Sequence, residues 1–200
     1  MKVISPFGPK IAKLKFPPKL IKKINSEVDK IISQKKLIKK FDYSKKLVGQ
    51  VKQELQLSRS FVKKNLEKKI SDEVKKFINK SSGKNIKSIK IKNFWVVRQF
   101  KNEYNPIHYH NGQLSGVGYL KIPKNMNQNK VIKNKKVKTN GTIDFINGQK
   151  NFLSKSIYNL NPKIGDLLIF PNYLMHAAYP FNVDGERRSF SFNAKITFKK

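Results

Sequence analysis

Cysteine is absent from the 200 residues of this chain. Its side chains therefore offer no disulfide, no thiolate nucleophile and no ligand for a cysteine-based zinc or iron–sulfur site. Long apolar runs are missing as well. The first ten residues carry prolines and lysine where a signal peptide has an apolar core, and no run approaches the length of a membrane span. We expect a cytoplasmic protein without a membrane segment.

Acidic residues and arginine are also scarce, whereas lysine is abundant. There are 12 Asp and Glu against 44 basic residues, which gives a formal net charge of +32, and only four of the basic residues are arginine. Dense positive charge favours a polyanionic partner such as nucleic acid. The abundance of Lys, Asn and Ile also fits the coding bias of an AT-rich gene, and this second interpretation is the one we favour.

The first 83 residues are expected to be mostly helical, within a single domain that spans residues 1–200. Residues 2–16 indicate an edge strand or arm. Apolar stripes then predict one helix from Pro18, a second short helix through Leu47, Val51 and Leu55, and a third that ends before Gly83. Ser58 or Ser60 is the predicted cap of the third helix.

After residue 83 the apolar period changes from that of helices to that of strands. Predicted strands cover residues 86–100, 114–122, 141–146, 166–170 and 187–198. Residues 124–138 are rich in lysine and asparagine and predict a mobile loop or hairpin. Helices first and strands afterwards indicate an α+β fold, in which helices brace the outside of a β-sandwich or barrel.

Histidine occurs only three times, and the pattern points to a metal site. His108 and His110 are two residues apart in strand-like sequence, so both side chains should project from one face. His176 follows another apolar strand and could complete a three-point set. The free positions opposite such a set are typical of a facial iron site. The alternative is a pair of ordinary polar histidines without metal.

The last predicted strand has one polar and one apolar face because its side chains alternate. The polar residues are Arg187, Ser189, Ser191 and Asn193, and those between them are Arg188, Phe190 and Phe192. We expect the polar face to line a ligand cavity, where the guanidinium fork of Arg187 would bind a carboxylate beside Ser189. Arg188 is expected at the surface or the rim.

Four blocks of sequence resemble one known family. They are NPIHYHNG at residues 105–112, LSGVGYLKIP at 114–123, GDLLIFPNYLMH at 165–176 and GERRSFSFN at 185–193. The family is that of 2-oxoglutarate- and Fe(II)-dependent oxygenases of bacteria and marine phages, and LVGQV at 47–51 also resembles a helical segment of these proteins. The resemblance implies a double-stranded β-helix (jelly-roll) core over residues 84–200, with the metal at its open end.

The resemblance also implies a dioxygenase that couples oxidative decarboxylation of 2-oxoglutarate to hydroxylation of an unidentified substrate. Its partners would be 2-oxoglutarate, O2 and that substrate, in the host cytoplasm if a phage encodes the protein. The implied Fe(II) ligands are His108, His110 and His176; the implied cosubstrate-binding residues are Arg187, Ser189 and Tyr119; Gln99 and Asn193 are expected to line the cavity.

One position departs from the wider superfamily, whose second ligand is Asp or Glu where this chain has His110. Asp144 or Glu103 could supply a carboxylate instead, whereas Asp166 is explained by a Gly-Asp turn. Two other functions stay open. One is a non-catalytic jelly-roll that binds metal or nucleic acid, and the other is a three-histidine dioxygenase that acts without 2-oxoglutarate.

Overall fold

The structure is a computed structural model that describes residues 1–6, 8–126, 139–153 and 155–199. Residues 127–138 of the predicted loop lie outside these ranges. The helices are α1 (Pro18–Ile32), α2 (Lys35–Phe41), α3 (Arg59–Asn65) and α4 (Glu67–Ser82), with a 3-10 turn at Ser44–Lys46. The strands are β1 (Lys2–Ile4), β2 (Ile11–Lys15), β3 (Gln53–Gln56), β4 (Ile86–Gln99), β5 (Asn105–His108), β6 (Leu114–Lys121), β7 (Ile143–Ile146), β8 (Ile157–Leu160), β9 (Asp166–Pro171), β10 (Met175–Ala178) and β11 (Arg187–Phe198).

Two antiparallel sheets form a double-stranded β-helix, which confirms the predicted fold class. The larger sheet has the strand order β1-β2-β9-β6-β11-β4-β3, and the smaller has the order β5-β10-β7-β8. Apolar side chains from both sheets meet in one cluster that includes Phe145 of β7 and Phe170 of β9. Strands β1, β2 and β3 come from the first 83 residues, so the larger sheet extends into the part predicted to be mostly helical.

The N-terminal helices pack against the outer face of the larger sheet, as predicted. Helices α1 and α4 bury Val28 and Val74 in the same cluster as Phe190 and Phe192 of β11. The apolar face of β11 therefore meets helices, and its polar face is left for the space between the sheets. The predicted cap of the third helix is also confirmed, since the amide of Phe61 donates to Ser58 Oγ at 3.2 Å.

Two helix predictions are wrong. The stripe through Leu47, Val51 and Leu55 is not a helix: the chain leaves the 3-10 turn, bridges Gln50 to Tyr104, and enters β3. The pairing of β3 with β4 determines that this segment is extended. The same apolar spacing also fits a strand, in which Leu55 is buried. Helix α2, with half-buried apolar residues, was not predicted, and the third predicted helix is divided into α3 and α4.

The predicted strands are confirmed as β4, β6, β7, β9 and β11, and β8 was not predicted. No helix within the described residues is long and apolar enough to cross a membrane.

Candidate metal centre

The three histidines converge from different parts of the smaller sheet. His108 ends β5 and lies directly opposite His176 of β10. His110 lies beyond the end of β5, so the alternation of a strand does not place it. Instead its amide donates to Asn172 O at 3.0 Å, and Asn172 Nδ2 donates to His110 O at 2.7 Å. These two hydrogen bonds turn the chain so that the His110 ring lies next to the other two.

The imidazoles are close enough to share one ion. One ring nitrogen from each histidine lies within 4.8 Å of the others, and within the described residues no other His, Asp or Glu joins such a group. The ring centroids are 4.3 Å apart for His108 and His176, 4.9 Å for His108 and His110, and 5.0 Å for His110 and His176. His176 is buried and the other two are half-buried.

Hydrogen bonds to the backbone fix the orientation and the tautomer of two of the rings. Nδ1 of His108 lies 2.7 Å from Pro106 O, and Nδ1 of His176 lies 3.0 Å from Leu174 O. A carbonyl oxygen only accepts, so each Nδ1 carries the proton and each Nε2 keeps its lone pair. Burial lowers the pKa of all three histidines, that of His110 to about 4. Neutral imidazoles of this kind suit a divalent transition metal.

The alternative carboxylates have other partners. Asp144 alternates on β7 with Phe145, whose ring approaches that of His176 at 5.9 Å, and Asp144 Oδ1 accepts from Asn159. Glu103 accepts from the Phe100 amide at 2.8 Å. Asp166 accepts from Lys15 Nζ at 2.6 Å. The structure brings none of these carboxylates to the histidines.

A pocket between the two sheets contains the histidines and the predicted cosubstrate residues. Arg187, Ser189, Tyr119 and Gln99 all line it from the larger sheet. Arg187 is 3% exposed, and its guanidinium donates to Gly141 O at 2.7 Å and to Gln99 Oε1. Within the described residues no carboxylate pairs with this guanidinium. The pocket therefore holds a buried cation whose anionic partner is still to be supplied.

Two predictions about β11 are wrong. Asn193 does not line the pocket, because its Oδ1 accepts from Ser115 Oγ at 2.8 Å within the larger sheet. Arg188 is not a surface residue. It is fully buried, its Nε and Nη2 donate to Glu186 at 2.8 and 3.0 Å, and Nη2 also lies 2.8 Å from Asp29 Oδ1. It joins β11 to α1 rather than to the pocket.

Sequence reasoning also missed several pocket residues. The Trp95 ring contacts that of His110 at a centroid distance of 5.5 Å. Glu54 and Asn105 line the pocket beside Gly49. Ser191 was not missed: it lines the pocket from the polar face of β11, as the alternation of that strand predicted. No comparable signal marked Glu54, because its segment was interpreted as a helix.

Comparison with known proteins agrees with this geometry. Residues 93–193 match the family described as "Putative 2OG-Fe(II) oxygenase". None of the curated proteins compared matches the chain in sequence. A prolyl-4-hydroxylase from Pseudomonas putida has a TM-score of 0.60 and 11% identity, with coverage of 95% of this chain and 93% of that chain.

Two further solved structures share the fold. The viral collagen prolyl hydroxylase of Paramecium bursaria Chlorella virus-1 has a TM-score of 0.56 and 16% identity, over 92% of this chain and 94% of that chain. HygX from Streptomyces hygroscopicus, with nickel and 2-oxoglutarate bound, has a TM-score of 0.57 and 12% identity, over 94% and 82%. At these identities the likeness shows the fold alone.

The jelly-roll places a histidine cluster and a buried arginine in one pocket, which fits a non-haem iron oxygenase whose facial ligands leave coordination positions open. The family match covers half of the chain, and the chain belongs to the 2-oxoglutarate- and Fe(II)-dependent oxygenase family. It is an oxidoreductase whose cofactor is Fe(II) and whose cosubstrate is 2-oxoglutarate.

Proposed function

We propose that His108, His110 and His176 hold Fe(II), and that Arg187 binds the distal carboxylate of 2-oxoglutarate with Ser189 and Tyr119 beside it. The observation that carries this assignment is that the three imidazole nitrogens, within 4.8 Å of one another, share a pocket with a buried guanidinium that has no carboxylate partner. The primary substrate is hydroxylated by the same centre.

The charge distribution of the pocket supports a dianionic cosubstrate. Three neutral imidazoles add no negative charge, so the metal site keeps its full attraction for a carboxylate. At the other end, burial of Arg187 without a counter-ion is costly, and burial lowers its pKa. Tyr119 is also buried, which raises its pKa to about 12 and keeps its hydroxyl a hydrogen-bond donor at neutral pH.

When bound, Fe(II) and 2-oxoglutarate supply the oxidation, in which O2 and 2-oxoglutarate give succinate and CO2 while one oxygen atom enters the substrate. The chain's own residues position and protect this chemistry. Arg187 and Ser189 orient the cosubstrate from the larger sheet, and the histidines face it from the smaller sheet. Trp95, Val97 and Phe170 give the pocket apolar walls that exclude water.

An anaerobic titration with Fe(II) and then 2-oxoglutarate tests the assignment. The expected result is a charge-transfer absorption band in the wild type, which is lost in His176→Ala and needs more 2-oxoglutarate in Arg187→Gln. Metal binding without any such band would favour a jelly-roll that only binds metal. Iron-dependent oxidation that is insensitive to 2-oxoglutarate and to Arg187 would favour the three-histidine dioxygenase.

We also propose that residues 1–200 form a single domain, since strands from both parts share one sheet, and that it works in the cytoplasm, where Fe(II) and 2-oxoglutarate occur together.

Contact of the lysine-rich surface with a polyanion is a separate proposal, supported by the net charge of +32. Binding of nucleic acid should then weaken steeply as salt rises. An affinity that does not change with salt would contradict the proposed contact with a polyanion.

A further inference from the structure

We propose that Glu54 and Asn105 form a subsite in the same pocket that binds a protonated amine or guanidinium group of the primary substrate. The proposal rests on the proposed function, because this subsite would hold the substrate beside the metal centre. It concerns residues that neither the metal nor the cosubstrate assignment uses.

Both residues line the pocket, and each carries a buried acceptor without a hydrogen-bond partner among the described residues. Glu54 is 2% exposed on β3, yet its Oε2 has no hydrogen-bond partner among the described residues. The same is true of Oδ1 of Asn105, the first residue of β5. A buried acceptor without a donor costs roughly 1–3 kcal/mol, more when charged. The buried carboxylate oxygen indicates a ligand that brings N–H donors, and the Asn105 amide can offer that ligand its oxygen as a second acceptor.

Gly49 shows that the two side chains converge. A methyl group at Gly49 would lie 2.3 Å from Asn105 Oδ1 and 2.7 Å from Oε1, the other carboxylate oxygen of Glu54, so these two oxygens are at most about 5.0 Å apart. An ammonium or guanidinium group carries several donors and can reach both oxygens at once. Glycine leaves open the space that any larger residue would fill.

The chain's own cations do not satisfy Glu54. Although 44 residues are basic, no lysine or arginine nitrogen in the described part of the chain lies within ion-pair distance of its carboxylate. Lys46 lines the same pocket, but its Nζ lies over the Tyr43 ring, 5.3 Å from the centroid. Burial, with a smaller effect of Asp42, raises the pKa of Glu54 to about 7. A bound cation would reverse that rise.

The subsite and the cosubstrate position can be filled together. Glu54 pairs with Val97 of β4, which pairs with Ser189 of β11. Two strand spacings separate Glu54 from Ser189, which is about 10 Å. Arg187 and Glu54 thus give the larger sheet a cationic and an anionic end, one for 2-oxoglutarate and one for the substrate.

The overall charge narrows the class of substrate. At a net charge of +32, a polycation would be repelled before it reached the pocket, whereas a molecule of low net charge would not. Beyond roughly 10 Å this repulsion is screened by salt, and at contact the buried carboxylate dominates. We therefore favour an amine- or guanidine-bearing compound that also carries a carboxylate or neutral groups.

Matched pairs of ligands test the subsite. L-arginine is compared with L-citrulline, and L-lysine with L-norleucine, by calorimetric titration into metal-free protein and into protein loaded anaerobically with Fe(II) and 2-oxoglutarate. The cationic member of each pair should bind at least roughly tenfold more tightly, as expected for a charge-assisted hydrogen bond. Nα-acetyl-L-arginine amide, as a further arm, separates a residue in a peptide from the free amino acid.

Variants show which residue is responsible for the preference for the cationic ligand. Glu54→Gln should abolish the preference for the cation, and Gly49→Ala should weaken it by filling the subsite while the carboxylate stays. Asp72→Asn removes one acidic group from the exposed face of α4 and should leave the preference intact. Equal binding within both pairs, or a preference that survives in Glu54→Gln, overturns the proposal. A missing charge-transfer band in the wild type would instead contradict the proposed function, and the metal-free titration would still test the subsite.

Discussion

Arg187 and Arg188 are adjacent on β11, yet their guanidinium groups lie on opposite faces of the larger sheet in opposite electrostatic surroundings. Arg188 is held by Glu186 and Asp29, with its nearest contacts at 2.8 Å. Arg187 is also buried and, within the part of the chain that the structure describes, has only neutral acceptors, the carbonyl of Gly141 and the side chain of Gln99. The charge of Arg188 is therefore neutralised by carboxylates within the fold. That of Arg187 is available to an anionic ligand.

Arg187→Gln should impair use of 2-oxoglutarate and leave the metal site intact. Loss of one partner from a buried charge pair costs about 2–5 kcal/mol, so the Kd for 2-oxoglutarate should rise roughly 100-fold. Fe(II) affinity, measured without cosubstrate, should stay near that of the wild type. An equal loss of iron and 2-oxoglutarate binding would contradict the role of Arg187 in holding the cosubstrate.

Arg188→Gln is the contrasting case and should act on stability. Its removal leaves Glu186, which also pairs with Arg98, with a weakened network next to α1. Breaking a buried pair in this way costs roughly 3–5 kcal/mol. Urea unfolding should show that loss, while the folded fraction keeps its affinity for 2-oxoglutarate. A stable variant with poor cosubstrate binding would place Arg188, not Arg187, at the ligand.

The metal ligands can be distinguished from the alternative carboxylate by substitution. His108→Ala, His110→Ala and His176→Ala should each lower Fe(II) affinity by more than the roughly 10- to 100-fold that follows loss of a hydrogen-bond partner of a ligand. Asp144→Asn should keep the wild-type affinity because its side chain contacts Asn159 on the other face of β7. If Asp144→Asn lost iron while His110→Ala kept it, the ligand set would be His108, Asp144 and His176.

The local periodicity of the sequence was sufficient for some parts of this site and not for others. Alternation along β11 placed Arg187 and Ser189 in the cavity and the intervening phenylalanines against the helices, because a strand's period of two does not depend on its neighbours. The burial of Arg188 could not be predicted in this way. Its partner Asp29 is supplied by α1, far away in the sequence.

His110 and Glu54 show the same limit. His110 is brought to His108 and His176 through hydrogen bonds with Asn172, on a different segment, and not through the strand alternation that the H-x-H spacing suggested. Glu54 lies in a segment whose apolar spacing fits a helix, and only pairing with β4 turns its carboxylate into the pocket. Contacts between segments far apart in the sequence determine both positions. Such contacts cannot be recognised from the local pattern of a single sequence.

The buried carboxylate of Glu54 should make the metal-free protein less stable as pH rises. Its pKa is raised from 4.5 to about 7 in the folded state, so between these values the folded protein keeps a proton that the unfolded chain has released. Stability is therefore lost from about pH 4.5 to about pH 7, and the full loss persists above that range. A shift of this size corresponds to roughly 3 kcal/mol.

Glu54→Gln lacks this titration and should exceed the wild type in free energy of unfolding at pH 8, with a difference that shrinks towards pH 5 in urea denaturation. Asp42 acts electrostatically on the Glu54 carboxyl, and Lys46 and the three histidines line the same pocket. All of them are present in both proteins, so their own titrations largely cancel in the difference. Asp72→Asn, at an exposed site, should show no such growth with pH. A Glu54→Gln protein that is less stable than the wild type at pH 8 would mean that the carboxylate already has a partner within the chain.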